Sequence, residues 1–245
     1  MPTNRRKSKF YKGDTTERHY ARGLKGVAEQ VSGIINSLYA TGQGTAENIT
    51  NALKRYAKII QPWAKAAAND IVGKIDLQDA RSWKQATKNM SLGLRENLKK
   101  SPVGQTALQA VQEQVDLITS LPLEAAERVQ KIVQEGYVRG VRADDLIAEI
   151  RKTGDVTETR ARTIARTETS RVATEFTKAR ADYIGSEGYI WRTAHDTDVR
   201  PSHKKMEGKF VKWDSPPTLD GMTGHAGQFP NCRCYPEPVL PETIE

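Results

Sequence analysis

The feature that most constrains this chain is a single break in periodicity. From about residue 14 to 184 the apolar residues recur three and four apart, the spacing that gathers them on one face of a helix, and after Gly185 that period stops. Short aromatic and β-branched runs take over at Tyr189-Ile190-Trp191-Arg192-Thr193 and Phe210-Val211-Lys212-Trp213, bounded by Gly, Pro and Asp as strands are. The expectation is an α+β fold: a predominantly helical N-terminal part followed by a small mixed α/β C-terminal module with a few short strands and long loops.

Within the helical part, Asp14 can cap a first helix whose stripe is Leu24, Val27, Val31, Ile34, Ile35 and Leu38, ending at Thr41-Gly42-Gln43-Gly44. Thr45 can cap a second, carrying Ile49, Leu53, Tyr56 and Ile60 until Pro62 kinks or restarts it. Residues 63–100 read as one long or two shorter helices with a thin stripe anchored by Trp63 and Trp83, a pattern that packs against a neighbour of its own chain or buries those anchors in another subunit. Further helices are expected from Ser101-Pro102 to Leu121, from Pro122 to about Tyr137, and from Arg142 to Lys152 with Gly154 as its stop. A long one then runs from about Thr157 to Gly185.

The chain carries a net charge of +8, and part of the excess is local, because Arg5, Arg6, Lys7, Lys9 and Lys12 all precede Asp14. Such a segment reads as a basic flexible tail over 1–13, available to nucleic-acid phosphates or to an acidic protein surface, or simply solvated. No aromatic-interleaved basic sheet, helix-turn-helix or RNA-module motif supports reading of base sequence. No GxGxxG or GxxxxGK[ST] supports nucleotide binding. No window approaches the roughly eighteen apolar residues of a membrane span, and no apolar run follows the charged start, so the chain is expected to be made and kept in the cytosol, away from membranes.

Three of the four histidines, His195, His203 and His225, lie in the C-terminal module with both cysteines, Cys232 and Cys234. Zn2+ takes four nitrogen or sulfur ligands in a tetrahedron, and His203, His225, Cys232 and Cys234 can supply them from loops that otherwise lack a core. One structural ion there would offset the closure entropy of the long intervening segment. The alternatives are that the cysteines pack in a small core while the histidines make hydrogen bonds, that Asp196 or Asp198 serves as base to an open metal, or that a cysteine and His203 form a nucleophile pair. A disulfide between residues two apart would be strained. In the long helix, Arg160, Arg162 and Arg166 alternate with Glu158 and Glu168, either as a solvated face of helix pairs or with Arg166 and Glu168 reaching the loops at Asp196 and Arg200.

Five ordered motifs carry a resemblance: Ile164-Ala165-Arg166-Thr167-Glu168-Thr169, then Trp191-Arg192-Thr193-Ala194 with Asp196, then Val199-Arg200-Pro201-Ser202-His203, Gly208, and Pro230-Asn231-Cys232-Arg233-Cys234. In this order they resemble the Mu F-like minor head, or head morphogenesis, proteins of tailed phages, over roughly residues 120 to 240. The helical period makes 14–118 a helical arm, and the resemblance assigns 119–245 to the Mu F-like module, helical to 184 and mixed after 185. It marks Arg166, Glu168, Trp191, Asp196, Arg200, His203, Gly208, Cys232 and Cys234 as motif positions. It implies a non-enzymatic minor capsid component, oligomeric in the assembly, that acts in procapsid formation with portal, capsid and scaffold subunits and contacts packaged DNA without sequence preference. It further implies passage from the host cytoplasm to the virion. Because the domain also occurs fused to toxin-like modules, an enzyme using the His/Asp/Cys cluster is the alternative, as is a DNA-binding protein independent of any capsid.

Overall fold

The computed structural model describes residue 10 and residues 15–88 and 90–241; the basic cluster from Arg5 to Lys12 and the Asp14 cap lie outside the described residues. Among the described residues seven helices precede the strands: α1 (Thr15–Ala40), α2 (Ala46–Ile59), α3 (Gln61–Ala86), α4 (Leu92–Lys99), α5 (Gly104–Arg139), α6 (Ala143–Arg151) and α7 (Thr153–Tyr183). Thr45 caps α2, its hydroxyl accepting from the Asn48 N–H at 3.2 Å, and Ser91 caps α4 by accepting from Leu94 N–H at 3.3 Å. Each cap satisfies a first-turn donor that has no partner inside its helix, a contribution of about 1 kcal/mol.

Two expected boundaries and one expected exposure are corrected. Pro122 starts no new helix but lies inside α5. A proline removes one helical bond, yet Ile118, Leu121, Ala125, Ala126 and Val129 on either side of it are all buried, and that continuous apolar face holds the helix together. Gly154 stops no helix either, since it lies in the first turn of α7. A Cβ there would collide with the Ser32 hydroxyl, so this glycine serves the close approach of α7 to α1. Trp83, expected to seek a partner, is 1% exposed in the chain's own core, edge-on to Phe10 at 5.2 Å, whereas Trp63 stays 42% exposed.

The chain divides into two compact units. The first takes Glu17–Asn69 and Val111–Ala165, and its core is built from Val31, Ile35, Ile49, Leu53, Val129 and Ile132. A buried bond from the Tyr20 hydroxyl to Gln114 Oε1, 2.9 Å long, adds specificity. The second takes Asp70–Ala110 and Arg166–Glu245, with Phe10 in its core. These units cut across the boundary drawn at residue 118, because tertiary packing, and not position along the chain, decides which helices share a core.

In the second unit, β1 (Gly188–Arg192) is the centre of a three-stranded antiparallel sheet, with β2 (Phe210–Lys212) on one side and β5 (Tyr235–Pro238) on the other. Between them lie a short helix α8 (Pro201–Lys204) and a two-stranded hairpin, β3 (Thr218–Leu219) and β4 (Met222–Thr223). That hairpin turns on Asp220 and Gly221, both at positive φ, which an Asp-Gly pair adopts readily. Tyr189, Trp191, Trp213 and Phe229 fill the core beneath the sheet.

The charged fastening of this unit is Arg180 of α7, whose guanidinium donates to Asp79 Oδ2 at 2.8 Å and Asp76 Oδ1 at 2.5 Å on α3. Asp79 is fully buried and also accepts from the Thr177 hydroxyl at 2.6 Å. Removing Asp79 leaves the buried Arg180 guanidinium with only the part-exposed Asp76 carboxylate and strips the Thr177 hydroxyl of its acceptor on α3. Asp79→Ala is therefore expected to lower the unfolding free energy by about 3–5 kcal/mol, measured by denaturant titration; a loss under about 1 kcal/mol, the range of an exposed pair, would show that the pair is not what joins α3 to α7.

Candidate functional site

The site is made by three segments of the second unit. Helix α7 presents a Thr- and Ala-rich face, and residues 226–234 lie directly on it. The Thr174 hydroxyl donates to the Ala226 carbonyl at 2.7 Å, and the Thr167 hydroxyl accepts from the Asn231 N–H at 3.0 Å. Gly227 has φ +92°, and a Cβ on it would sit 2.5 Å from Thr174 Oγ1, so the loop meets the helix at a distance that only glycine permits. Asn231, at φ 55°, then turns the chain so that Cys232 and Cys234 both face inward, with the Cys234 N–H donating to Cys232 Sγ at 3.3 Å.

The third segment is α8, which delivers His203. Its Nδ1 lies 3.4 Å from Cys232 Sγ and 3.6 Å from Cys234 Sγ, and all three side chains are buried. Nε2 is buried with no hydrogen-bond partner among the described residues, so the ring's polar engagement is with the sulfurs. The ring packs against Trp191 and Phe229, with centroids 5.6 and 4.9 Å away. Among the described residues these three are the group whose ligand atoms come together, within 4.8 Å of one another. The expected fourth member, His225, is not among them. It faces Trp213 and the Tyr189 hydroxyl, 3.2 Å from Nδ1, because its backbone N–H is held by Gln228 Oε1 at 2.8 Å one turn before the loop reaches Cys232.

The charged residues around this group differ from the expected pairing. Arg233, between the two cysteines and missed as a site residue, joins Asp196 at 2.5 Å and Asp198 at 3.1 Å. Arg166 reaches Asp198 at 3.3 Å, and Arg200 donates to the Pro230 carbonyl at 2.7 Å. Glu168 pairs within its own helix, accepting from Arg171 at 2.7 Å, as do Arg162 and Glu158 at 2.5 Å. Arg162 lies on the solvated face of the helix, whereas Glu168 and Arg171 are mostly buried and Arg166 reaches the loop. Together with His203 and the two cysteines, the Asp196, Asp198 and Arg side chains line a cavity of about 110 Å³.

The electrostatics concentrate a shared proton. Cys232 is pushed well below the ordinary thiol range by the hydrogen bond from Cys234, against the opposing effect of burial, with His203 and the backbone N–H groups of Cys234 and Gly227 helping. Cys234 is pushed up by the same shared proton and then by burial. A buried pair of sulfurs with one imidazole nitrogen can hold a soft cation or keep one sulfur as a thiolate.

One further motif position and its neighbour hold the frame. Gly208, at φ +76°, donates its N–H to the Trp191 carbonyl at 2.9 Å. Beside it Glu207, which no sequence signal marked, accepts from the Thr193 N–H at 2.6 Å and hydroxyl at 2.8 Å and from Arg192 at 3.4 Å. Burial pushes the Glu207 carboxyl up, but the two Thr193 donors, His195 and Arg192 outweigh it and hold the group below its ordinary value. A depressed folded-state pKa contributes stability above the ordinary carboxylate range, and this is lost as pH falls through the folded value. Glu207→Gln is expected to cost about 1–3 kcal/mol near pH 7, with the difference from wild type shrinking on acidification below about pH 4.5. Thermal melts of both proteins from pH 7 to pH 3 check this; a gap independent of pH would contradict it.

With this geometry in place, the chain can be set beside known proteins. Residues 127–236 match the family described as Phage Mu protein F like protein, a span that runs from the second half of α5 into β5 and includes His203, Cys232 and Cys234. An uncharacterized protein of Haemophilus influenzae is 32% identical over 199 residues, which are 80% of this chain and 44% of that protein. The minor head protein GP7 of Bacillus phage SPP1 is 25% identical over 152 residues, 54% of this chain and 49% of that protein. The chain thus spans about half the length of the curated relatives it matches. No solved structure matches. The α7 motif, the Trp191 strand, the Arg200–His203 loop and the closing cysteine pair fall inside the matched span and meet in one place in the fold. Through residues 127–236, the chain is thus similar to the family of phage Mu protein F-like proteins.

Proposed function

We propose that the chain is a minor capsid component that acts in head morphogenesis, binding portal and neighbouring capsid or scaffold subunits while the procapsid forms. The observation that carries this reading is the match of residues 127–236 to the Mu F-like family, joined by the similarity to a minor head protein. On this reading the protein works by binding and not by turnover, in keeping with its similarity to a minor head protein. It is made in the host cytoplasm and ends in the virion.

Physical features of the chain support a binding role. Tyr137 and Val138, at the end of α5, are 88% and 85% exposed, and adjacent large apolar side chains left to solvent suit a contact surface. The net charge of +8 suits an acidic protein surface or phosphate. No helix among the described residues is long and apolar enough to cross a membrane. The basic cluster at Arg5, Arg6, Lys7, Lys9 and Lys12 is the segment we assign to non-specific contact with packaged DNA.

Co-expressed with the portal protein of the same phage genome, the chain is expected to co-sediment with portal oligomers at low salt, and sedimentation apart under every condition would sink the assembly reading. Deleting residues 1–12 is expected to leave that complex intact while weakening retention on DNA. The logarithmic salt dependence should become shallower by about 0.9 per lost phosphate contact. An unchanged slope would remove the tail from the DNA contact.

A further inference from the structure

We propose that His203, Cys232 and Cys234 bind one Zn2+ ion through three protein ligands, with the fourth coordination position open to the cavity formed by Arg166, Asp196, Asp198 and Arg233. The first argument is metric. With Zn–S near 2.3 Å, Zn–N near 2.0–2.1 Å and a tetrahedral angle, a sulfur and a nitrogen on one ion stand about 3.6 Å apart. The two separations from His203 Nδ1 are 3.4 and 3.6 Å. Both edges already have the length that a shared ion imposes.

The second argument is the donor set. Two thiolates and an imidazole favour Zn2+ over Mg2+ or Ca2+, which take oxygen ligands. The Cys-x-Cys spacing aims both sulfurs at one point only because Asn231 adopts positive φ and the Cys234 N–H folds back on Cys232 Sγ, a bond that also supports a sulfur carrying negative charge. On binding, each sulfur donates a lone pair and the proton that the two cysteines share goes to solvent. His203 donates from Nδ1 and carries its proton on Nε2.

The third argument concerns what is absent from the ligand sphere. No fourth histidine, cysteine or carboxylate among the described residues joins the group, and His225 is committed to Tyr189. Three protein ligands leave one position for an exchangeable oxygen ligand. It faces a cavity that the Arg233 and Arg166 guanidinium groups make receptive to water or a small anion, while Asp196 and Asp198 balance their charge. The ion also joins α8 to the 226–234 turn, two segments otherwise separated by a long stretch with little regular structure, and so offsets the closure entropy of that stretch.

The test is independent of the capsid role. Full-length protein made without a histidine tag is expected to carry one Zn2+ per chain by elemental analysis. After removal of the metal, Co2+ titration should saturate at one ion per chain, giving the visible bands of a tetrahedral centre and a thiolate charge-transfer band. Azide should then shift the visible bands. Cys232→Ser and Cys234→Ser should each weaken the metal by more than the roughly ten- to hundredfold expected of a mere supporting residue, with circular dichroism confirming the fold. Folded wild-type protein that develops no thiolate-to-cobalt band overturns the site, whatever the variants do. A band with visible features that azide leaves unchanged overturns the open position.

Discussion

The close seating of residues 226–234 on helix α7 is the contact on which the rest of the C-terminal unit depends. Gly227 lets the backbone approach the helix, and Thr174 and Thr167 satisfy the Ala226 carbonyl and the Asn231 N–H at either end of the contact. A loop with no regular ladder must find partners for its backbone groups elsewhere, and here a helix face provides them. With the loop fixed, Phe229, Cys232 and Cys234 enter the core beneath Trp191, and β5 pairs with β1. The helix in turn is held to α3 through Arg180, Asp79 and Asp76.

This arrangement explains why so polar a helix is built into a core. A chain segment reading Thr-Glu-Thr-Arg-Ala-Arg-Thr has little to bury by the usual apolar stripe, and its charged residues do pair along the helix surface. Its hydroxyls have a different task. Thr167, Thr174 and Thr177 each bond to a group from another segment, two of them to the loop and one to buried Asp79. Small side chains allow the approach, and their oxygens satisfy what the approach buries. The functional reading as a head-assembly protein and the local chemistry of His203 and the cysteines thus rest on one frame, in which motifs far apart in the chain converge.

Much of this was legible in the residues. The helical period gave α1 and α2 with their stops at Gly42 and Pro62, because an apolar stripe and a breaker are local signals. The aromatic runs gave β1 and β2 for the same reason. Pro122 and Gly154 were misread because a breaker's effect depends on its neighbours: a continuous buried face carried α5 through one, and the Ser32 contact required the other inside α7. The Asp220-Gly221 turn was available as a sequence signal and marks the β3–β4 hairpin. Arg233 could also have been noticed, as a charge enclosed by two inward-facing cysteines that must leave the core and find carboxylates.

The sequence by itself determined the element types, the place where helices give way to strands, and the ordered series of motifs that resembles the Mu F-like family. These follow from local periodicity, from residues with few backbone options, and from residue identity in order. Tertiary structure alone decided the membership of the site. It brought His203 to both cysteines and sent His225 to Tyr189, and it divided the helices into two cores that cross any boundary drawn along the chain. The physical reason is that proximity between residues some thirty positions apart is set by how loops pack on helices. Four candidate ligands in a sequence share a composition, whereas only the packed chain gives three of them a common point in space.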